Sequence, residues 1–234
     1  MAKKAYVGVN NVAKNISKMY VGVGNVAKKI KKAYVGVGDV AKLFFEESIP
    51  YTSKEYLQSS GSGQYIDSGI KGKGLTTDFE IEFEATRKTD YNFAFSARQS
   101  SSSNRFDLGW GGASSWFGYN TGSLSGLISN MAINTRYNIK KIGTQIFVND
   151  TLSLTIAQLV DFTTPVNFYI FANNTNGTPA NYGAFKLYKF KIYENNSLVR
   201  DFVPCLDSNN VACLFDKVTN EFFYNGGTGT FTTN

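Results

Sequence analysis

The sequence predicts an all-β protein, a sandwich or barrel of many short strands preceded by a small β-hairpin repeat segment. Three observations carry that expectation. Aromatic residues are abundant, with 19 Phe, 14 Tyr and 2 Trp, and 22 Gly join frequent Ser, Thr and Asn in the gaps between apolar runs, the composition of strands joined by many turns. About a dozen short segments beyond residue 50 alternate apolar and polar residues, as half-buried strands do. The first fifty residues repeat a unit with turn formers set between valines.

The repeat comes first in the chain. Aligned on tyrosine, its copies start at Tyr6, Tyr20 and Tyr34, a period of 14. Val7, Val21 and Val35 follow, then Gly8, Gly22 and Gly36, then Val9, Val23 and Val37. Next come the pairs Asn10-Asn11, Gly24-Asn25 and Gly38-Asp39, residue types that tolerate positive φ and build two-residue hairpin turns. Removing the turn pair from each period leaves a strand of up to twelve residues, so a β-meander is expected. A short helix over 26–34 competes with it, because Val26, Ala27, Ile30, Ala33 and Tyr34 share a helical stripe that Asn25 would cap. Tyr-Val-Gly-Val is poor helix material, which favours strands. A disordered basic tail is the third alternative, against which the frequency of Val, Ile and Tyr argues.

Charge separates the repeat from the rest. Residues 1–50 hold nine Lys against Asp39, Glu46 and Glu47, whereas residues 51–234 hold fifteen Lys and Arg against fifteen Asp and Glu. The larger part therefore offers no basic excess to a nucleic acid. Three domains of organisation follow: a basic repeat over 1–45, a linker over 46–50 and a β-sandwich over 51–234. A three- or four-stranded meander buries too little apolar surface to stand alone, so residues 1–45 read as an adaptor completed by other copies or another protein, with Tyr6, Val7, Tyr20, Val21, Tyr34 and Val35 as its attachment residues. No apolar run is long enough for a membrane-spanning helix, and "MAKKAYVGVN" is interrupted too soon for a signal peptide. Cys205 and Cys213 are the only cysteines; two reduced, buried thiols are expected, although the loop between them leaves a disulfide geometrically open.

In the larger part the segments "TDFEIEFEAT", "YNFAFSAR", "RFDLGWGG", "RYNIKKIGTQIFVND" and "VNFYIFANN" mark successive strands, with hairpin signals at Asn149-Asp150, Asn195-Asn196 and around Thr219-Asn220. "QYIDSGI", "AFKLYKFKIYENNSLVRDFVPC" and "LFDKVTNEFFYNGGTGTF" resemble the lectin-like, concanavalin A/laminin-G type jelly-roll domains of virion proteins in tailed bacteriophages and prophages. The "AYVGVGDVAK" repeats are similar to N-terminal segments on structural proteins of the same phages. The resemblance implies a jelly-roll sandwich, assembly in the host cytoplasm into a virion, and contact with other virion proteins through residues 1–45. It leaves open whether the sandwich binds host-surface glycan at the tail or serves as capsid or tail decoration.

Histidine is absent, which removes Ser-His-Asp and Cys-His catalysis and most zinc sites. In "DFEIEFE" a two-residue period puts Asp78, Glu80, Glu82 and Glu84 on one face and Phe79, Ile81 and Phe83 on the other. Paired carboxylates are what a glycosidase needs, yet the familiar Glu, Asp, Glu pattern of jelly-roll glycosidases is missing, and a solvated outer face is the simpler expectation. No enzyme, cofactor or metal site is therefore expected. Asp90, Asp107, Asn173 and Asn174 offer oxygen ligands but no recognisable calcium-loop spacing.

For sugar binding the useful parts are flat rings beside short polar groups. Residues 104–120 offer Trp110, Trp116 and Tyr119 with Asn104, Asp107 and Asn120, and residues 173–183 add Asn173, Asn174, Asn176 and Tyr182. Trp110 alternates with Phe106 and Leu108 and belongs to the core. Trp116 follows "GGASS" and is the better ligand residue. The expected ligand set is Trp116, Tyr119, Asn120, Asn104, Asn174 and Tyr182, with two of the three rings in 110–119 expected to be core.

Overall fold

The computed structural model describes residues 5–9, 12–16, 19–23, 26–30, 32–37, 40–46, 50–87, 91–112 and 114–234. The turn pairs at 10–11, 24–25 and 38–39, part of the 46–50 linker, and Asp90 lie outside the described residues. The chain divides into two compact units, Met1–Pro50 and Tyr51–Asn234.

The first unit contains β1 (Ala5–Val9), β2 (Val12–Ile16), β3 (Met19–Val23), β4 (Val26–Ile30), β5 (Lys32–Val37) and β6 (Val40–Glu46). They pair as three separate two-stranded sheets. Val9 faces Val12, Val23 faces Val26 and Val37 faces Val40, so each hairpin closes around one turn pair. Among the described residues these strands are five to seven residues long, shorter than the twelve the repeat period allows. Each repeat folds back on itself, Tyr6–Val9 pairing with Val12–Asn15 and the corresponding segments pairing likewise in the next two hairpins. Val26–Ile30 is a strand, not the start of a helix. Tyr6 and Val7 lie in β1 and Val35 in β5. The side chains of Tyr20, Val21 and Tyr34 are exposed.

The second unit is an antiparallel sandwich. One sheet runs β17 (Thr151–Thr155), β16 (Gln145–Val148), β15 (Arg136–Ile142), β10 (Thr77–Ala85), β21 (Ala184–Glu194), β22 (Ser197–Leu206), β23 (Ala212–Asp216), β24 (Glu221–Phe223), with β8 (Leu57–Ser60) on β21 and β7 (Thr52–Ser53) on β22. The other runs β14 (Gly122–Ser129), β13 (Ser114–Asn120), β12 (Arg105–Gly111), β11 (Asn92–Ala97), β18 (Thr163–Ile170), β9 (Ile66–Lys73). A small hairpin, β19 (Asn173–Thr175) and β20 (Thr178–Ala180), forms its own two-stranded sheet, bridged to Arg98 just beyond β11.

The alternation seen in the sequence builds the core. In β10 Thr77, Phe79, Ile81, Phe83 and Ala85 are buried while the acids between them are half-buried. Rings of the two sheets meet across the interior: Phe79 edge-on to Phe95 at 4.9 Å, Phe190 stacked on Phe95 at 5.0 Å, and Phe83 stacked on Trp110 at 5.4 Å. The turns use the chemistry expected of them. Asn149, Asp150, Asn195 and Asn196 all have positive φ, as two-residue hairpins require. The fold is therefore the all-β, jelly-roll type of sandwich that the sequence predicts.

Candidate functional site

The outer face of the six-stranded sheet carries the candidate site. Register fixes it: Trp116 on β13 faces Gly109 on β12, and Gly118 faces Asp107. A methyl at Gly109 would fall 2.5 Å from Trp116 Cζ2, so the indole lies on bare backbone. Phe93 meets the Trp116 ring edge-on at 5.7 Å, and Tyr91 does so at 5.9 Å. Trp116 is half-buried. Tyr91 is 65% exposed and has φ of 57°, a left-handed conformation that costs a bulky residue energy and concentrates at functional positions. Together the two rings form a partly solvent-facing aromatic shelf.

A polar cluster adjoins the shelf. Asp107 is completely buried, its carboxylate 3.5 Å from Arg105 Nε. No hydrogen bond of good geometry closes on either carboxyl oxygen or on Arg105 Nε. Burial pushes the Asp107 carboxyl above the ordinary carboxylate range, and Arg105, Arg98, the Trp116 indole and the Gly118 amide pull the other way without outweighing it. Arg105 also donates to Ser101 O and, at 2.7 Å, to Ser123 Oγ. Arg98 lies over the Phe93 ring at 5.2 Å and donates to Thr175 Oγ1 at 2.8 Å. Ser96 donates to Asn173 Oδ1 at 2.8 Å. A side chain at Gly118 would collide with both Arg105 and Asp107, so glycine there lets the guanidinium cross the strand.

Of the residues expected to bind ligand, Trp116 sits on this shelf, and Tyr182 is joined to it through a backbone bridge to Phe93. Tyr119 does not reach the surface. It is 6% exposed, and its hydroxyl donates to Gly74 O at 2.8 Å and accepts from Val160 N at 2.9 Å, because Phe117 and Tyr119 share the core face that Trp116 leaves. Asn174 is buried too: it donates to Asn167 O and accepts from Gly177 N, both at 2.8 Å, holding the β19–β20 hairpin. Asn104 and Asn120 occupy positive-φ positions, where asparagine serves the turn, and Asn104 donates to Gln99 Oε1. Trp110 is 1% exposed, as its alternation predicts. Sequence reasoning missed Tyr91, Arg98 and Arg105; the ring at the head of "YNFAFSAR" was the available signal.

The carboxylate row on β10 is fully engaged. Glu80 is 3.0 Å from Lys189 Nζ and 3.7 Å from Lys140 Nζ; Glu82 pairs with Arg136 and Lys189; Glu84 accepts from Lys186 and from the Tyr188 hydroxyl, each at 2.8 Å. Burial tends to raise Glu80 and Glu84, but hydrogen bonds from Lys189 and Asn138 to the first, and from Lys186 and Tyr188 to the second, hold both below the usual range. Both are ionised near neutrality, so neither is the protonated acid that glycoside cleavage requires. Depressed carboxyl values stabilise the fold above the unfolded-state value, roughly pH 4.5, and that contribution disappears as pH falls through the folded-state values. Accordingly Glu80→Gln and Glu84→Gln should each cost about 1 kcal/mol or less at pH 7, given their solvent screening. Urea unfolding at pH 7 and pH 3 checks this: the cost should be smaller at the lower pH.

A wider cleft of about 610 Å³ is lined by residues including Val211, Tyr224, Asn225, Thr230 and Phe231. Two of its polar side chains are already occupied, Tyr224 on Asp207 at 3.0 Å and the Asn225 amide on Thr228 O and Gly229 O. Of the calcium candidates, Asp107, Asn173 and Asn174 have the surroundings given above. Among the described residues no group of three or more metal-ligating His, Cys, Asp or Glu side chains occurs.

No protein-family model matches the chain, and no curated protein matches it. Among solved structures, a candidate carbohydrate-binding protein from Bacteroides ovatus is similar with a TM-score of 0.55 at 12% identity, over 91% of this chain and 70% of that one. The CBM40 domain of a Ruminococcus gnavus sialidase is 16% identical over 60% of this chain and 90% of its own, with a TM-score of 0.46, too loose a likeness to carry an argument. The first likeness is one of fold: an antiparallel β-sandwich.

Proposed function

We propose that the chain is a non-enzymatic, glycan-binding component of a tailed-phage particle, tail-associated, in which the Tyr91–Trp116 shelf beside the six-stranded sheet holds a host-surface saccharide. The observation that carries this reading is the Tyr91–Trp116 shelf: an exposed ring in a strained conformation beside a half-buried indole laid over glycine. Flat rings accept the C–H faces of sugars, and hydroxyls, amides and guanidiniums beside them orient sugar hydroxyls. The Bacteroides ovatus protein, described as a carbohydrate-binding candidate, supports the reading through its fold. The paired carboxylates of β10 favour binding over cleavage.

The N-terminal hairpins are the attachment segment. Tyr20, Val21 and Tyr34 leave about half of their surface exposed, at 57%, 46% and 55%, and isolated two-stranded sheets are marginal in water. Other virion proteins and further copies of this chain are the partners that would cover them. Deleting residues 1–45 should leave the sandwich folded by circular dichroism and absent from purified particles. A truncated chain found in particles at normal copy number would overturn the attachment role.

A further inference from the structure

Cys205 on β22 and Cys213 on β23 are direct partners in the antiparallel ladder. Both are completely buried and unbridged, and their sulfur atoms are 3.5 Å apart. Facing residues in such a ladder hold their Cα atoms roughly 4.5–5.5 Å apart, inside the roughly 4.4–6.8 Å window of disulfides. Reaching an S–S bond of about 2.05 Å thus needs side-chain rotation without movement of the strands. The connection between the strands is fixed independently, since Asp207 Oδ1 accepts the Asn209 and Val211 amides and Asp207 N donates to Val211 O.

We propose that this cross-strand pair is an oxidation site that small-molecule disulfides convert into an intramolecular staple between β22 and β23. The Cys205 thiol donates to Cys213 O at 3.6 Å, and across the 3.5 Å between the sulfurs either thiol can be the donor, so exchange can open at either cysteine; taken at Cys213, that thiol first loses its proton. Its thiolate attacks one sulfur of the reagent, breaks the reagent's S–S bond and releases one thiol. Cys205 then loses its proton and attacks the Cys213 sulfur, expelling the second thiol. Two protein thiols become one disulfide while the reagent disulfide becomes two thiols, and nothing else is oxidised. The cover over the pair includes Tyr51, Val203 and Phe222, all partly buried. It is flanked by the two-residue β7 and the three-residue edge strand β24, the kind of short element that opens locally below the cost of global unfolding.

The test uses the full chain and oxidised glutathione, both natively and through a cycle of urea unfolding and refolding, with free thiols then trapped by N-ethylmaleimide and the intact mass recorded. The expected product is a monomer lighter by two hydrogens that takes up no maleimide. Its Tm should rise by about 5 °C, as closure of a short loop in a domain of this size implies, and dithiothreitol should reverse the rise. Cys205→Ala and Cys213→Ala chains should each stop at a glutathione adduct with no such rise. Two alkylatable thiols after the refolding cycle, a wild-type chain that ends as a glutathione adduct or a cross-linked dimer, or a disulfide form whose Tm is unchanged or lower would each overturn the proposal.

Discussion

Trp110→Ala is expected to destabilise the sandwich by about 3–5 kcal/mol, the cost of truncating a large, fully packed core ring. Trp110 is 1% exposed, stacks on Phe83 at 5.4 Å and meets Phe185 edge-on at 5.6 Å. Phe83 and Phe185 belong to β10 and β21 of the opposite sheet, so the indole is part of what holds the two sheets together. Its Nε1 has no hydrogen-bond partner. Trp110→Phe should cost less than Trp110→Ala, because it keeps an aromatic body and removes the unmatched donor along with one ring of the indole. Urea unfolding of both variants checks the pair. A Trp110→Ala cost below about 1 kcal/mol, the range of surface substitutions, would contradict the packing described.

Trp116→Ala should have the opposite profile: loss of glycan binding by tenfold or more, with a stability cost of only about 1–2 kcal/mol for a half-buried ring. The indole is supported from below by Gly109 and from the side by Phe93 and Tyr91, so removing it collapses the shelf without opening the core. Adsorption of particles carrying the variant, and binding of the purified chain to host envelope polysaccharide, measure the first effect; thermal unfolding measures the second. If the stability effects of the two tryptophans are reversed, the site is misplaced. If neither substitution alters adsorption, the sandwich is a decoration.

The two tryptophans also illustrate what the sequence made legible. Phe106, Leu108 and Trp110 form an unbroken two-residue alternation, and such a stripe can only point one way once one member is core. The same rule applied to β13 separates Trp116 from Phe117 and Tyr119 and puts Tyr119 on the core face, where it is 6% exposed. The acids of β10 were legible for the same reason. Asn174 was not, because its hydrogen bonds run to Asn167 and Gly177 and exist only after the β19–β20 hairpin closes. Tyr91 was legible only as the ring at the head of "YNFAFSAR"; its left-handed backbone leaves no mark in residue type. In the repeat, the facing valines Val9–Val12, Val23–Val26 and Val37–Val40 were legible from the position of the turn pairs, whereas the pairing into separate two-stranded sheets leaves no mark in an apolar alternation pattern.

The proposed glycan site at the Tyr91–Trp116 shelf is tested most directly by intrinsic fluorescence. The chain has only two tryptophans, and in the full-length Trp110→Phe variant Trp116 is the only indole left. Titrating that variant with soluble polysaccharide from the host envelope should shift and change the Trp116 emission along a saturable curve, as a sugar face displaces water from the ring. The midpoint should match the affinity measured independently by calorimetry. Calorimetric binding that leaves Trp116 emission untouched would place the ligand elsewhere, and absence of binding by both methods would contradict a glycan-binding role for this domain.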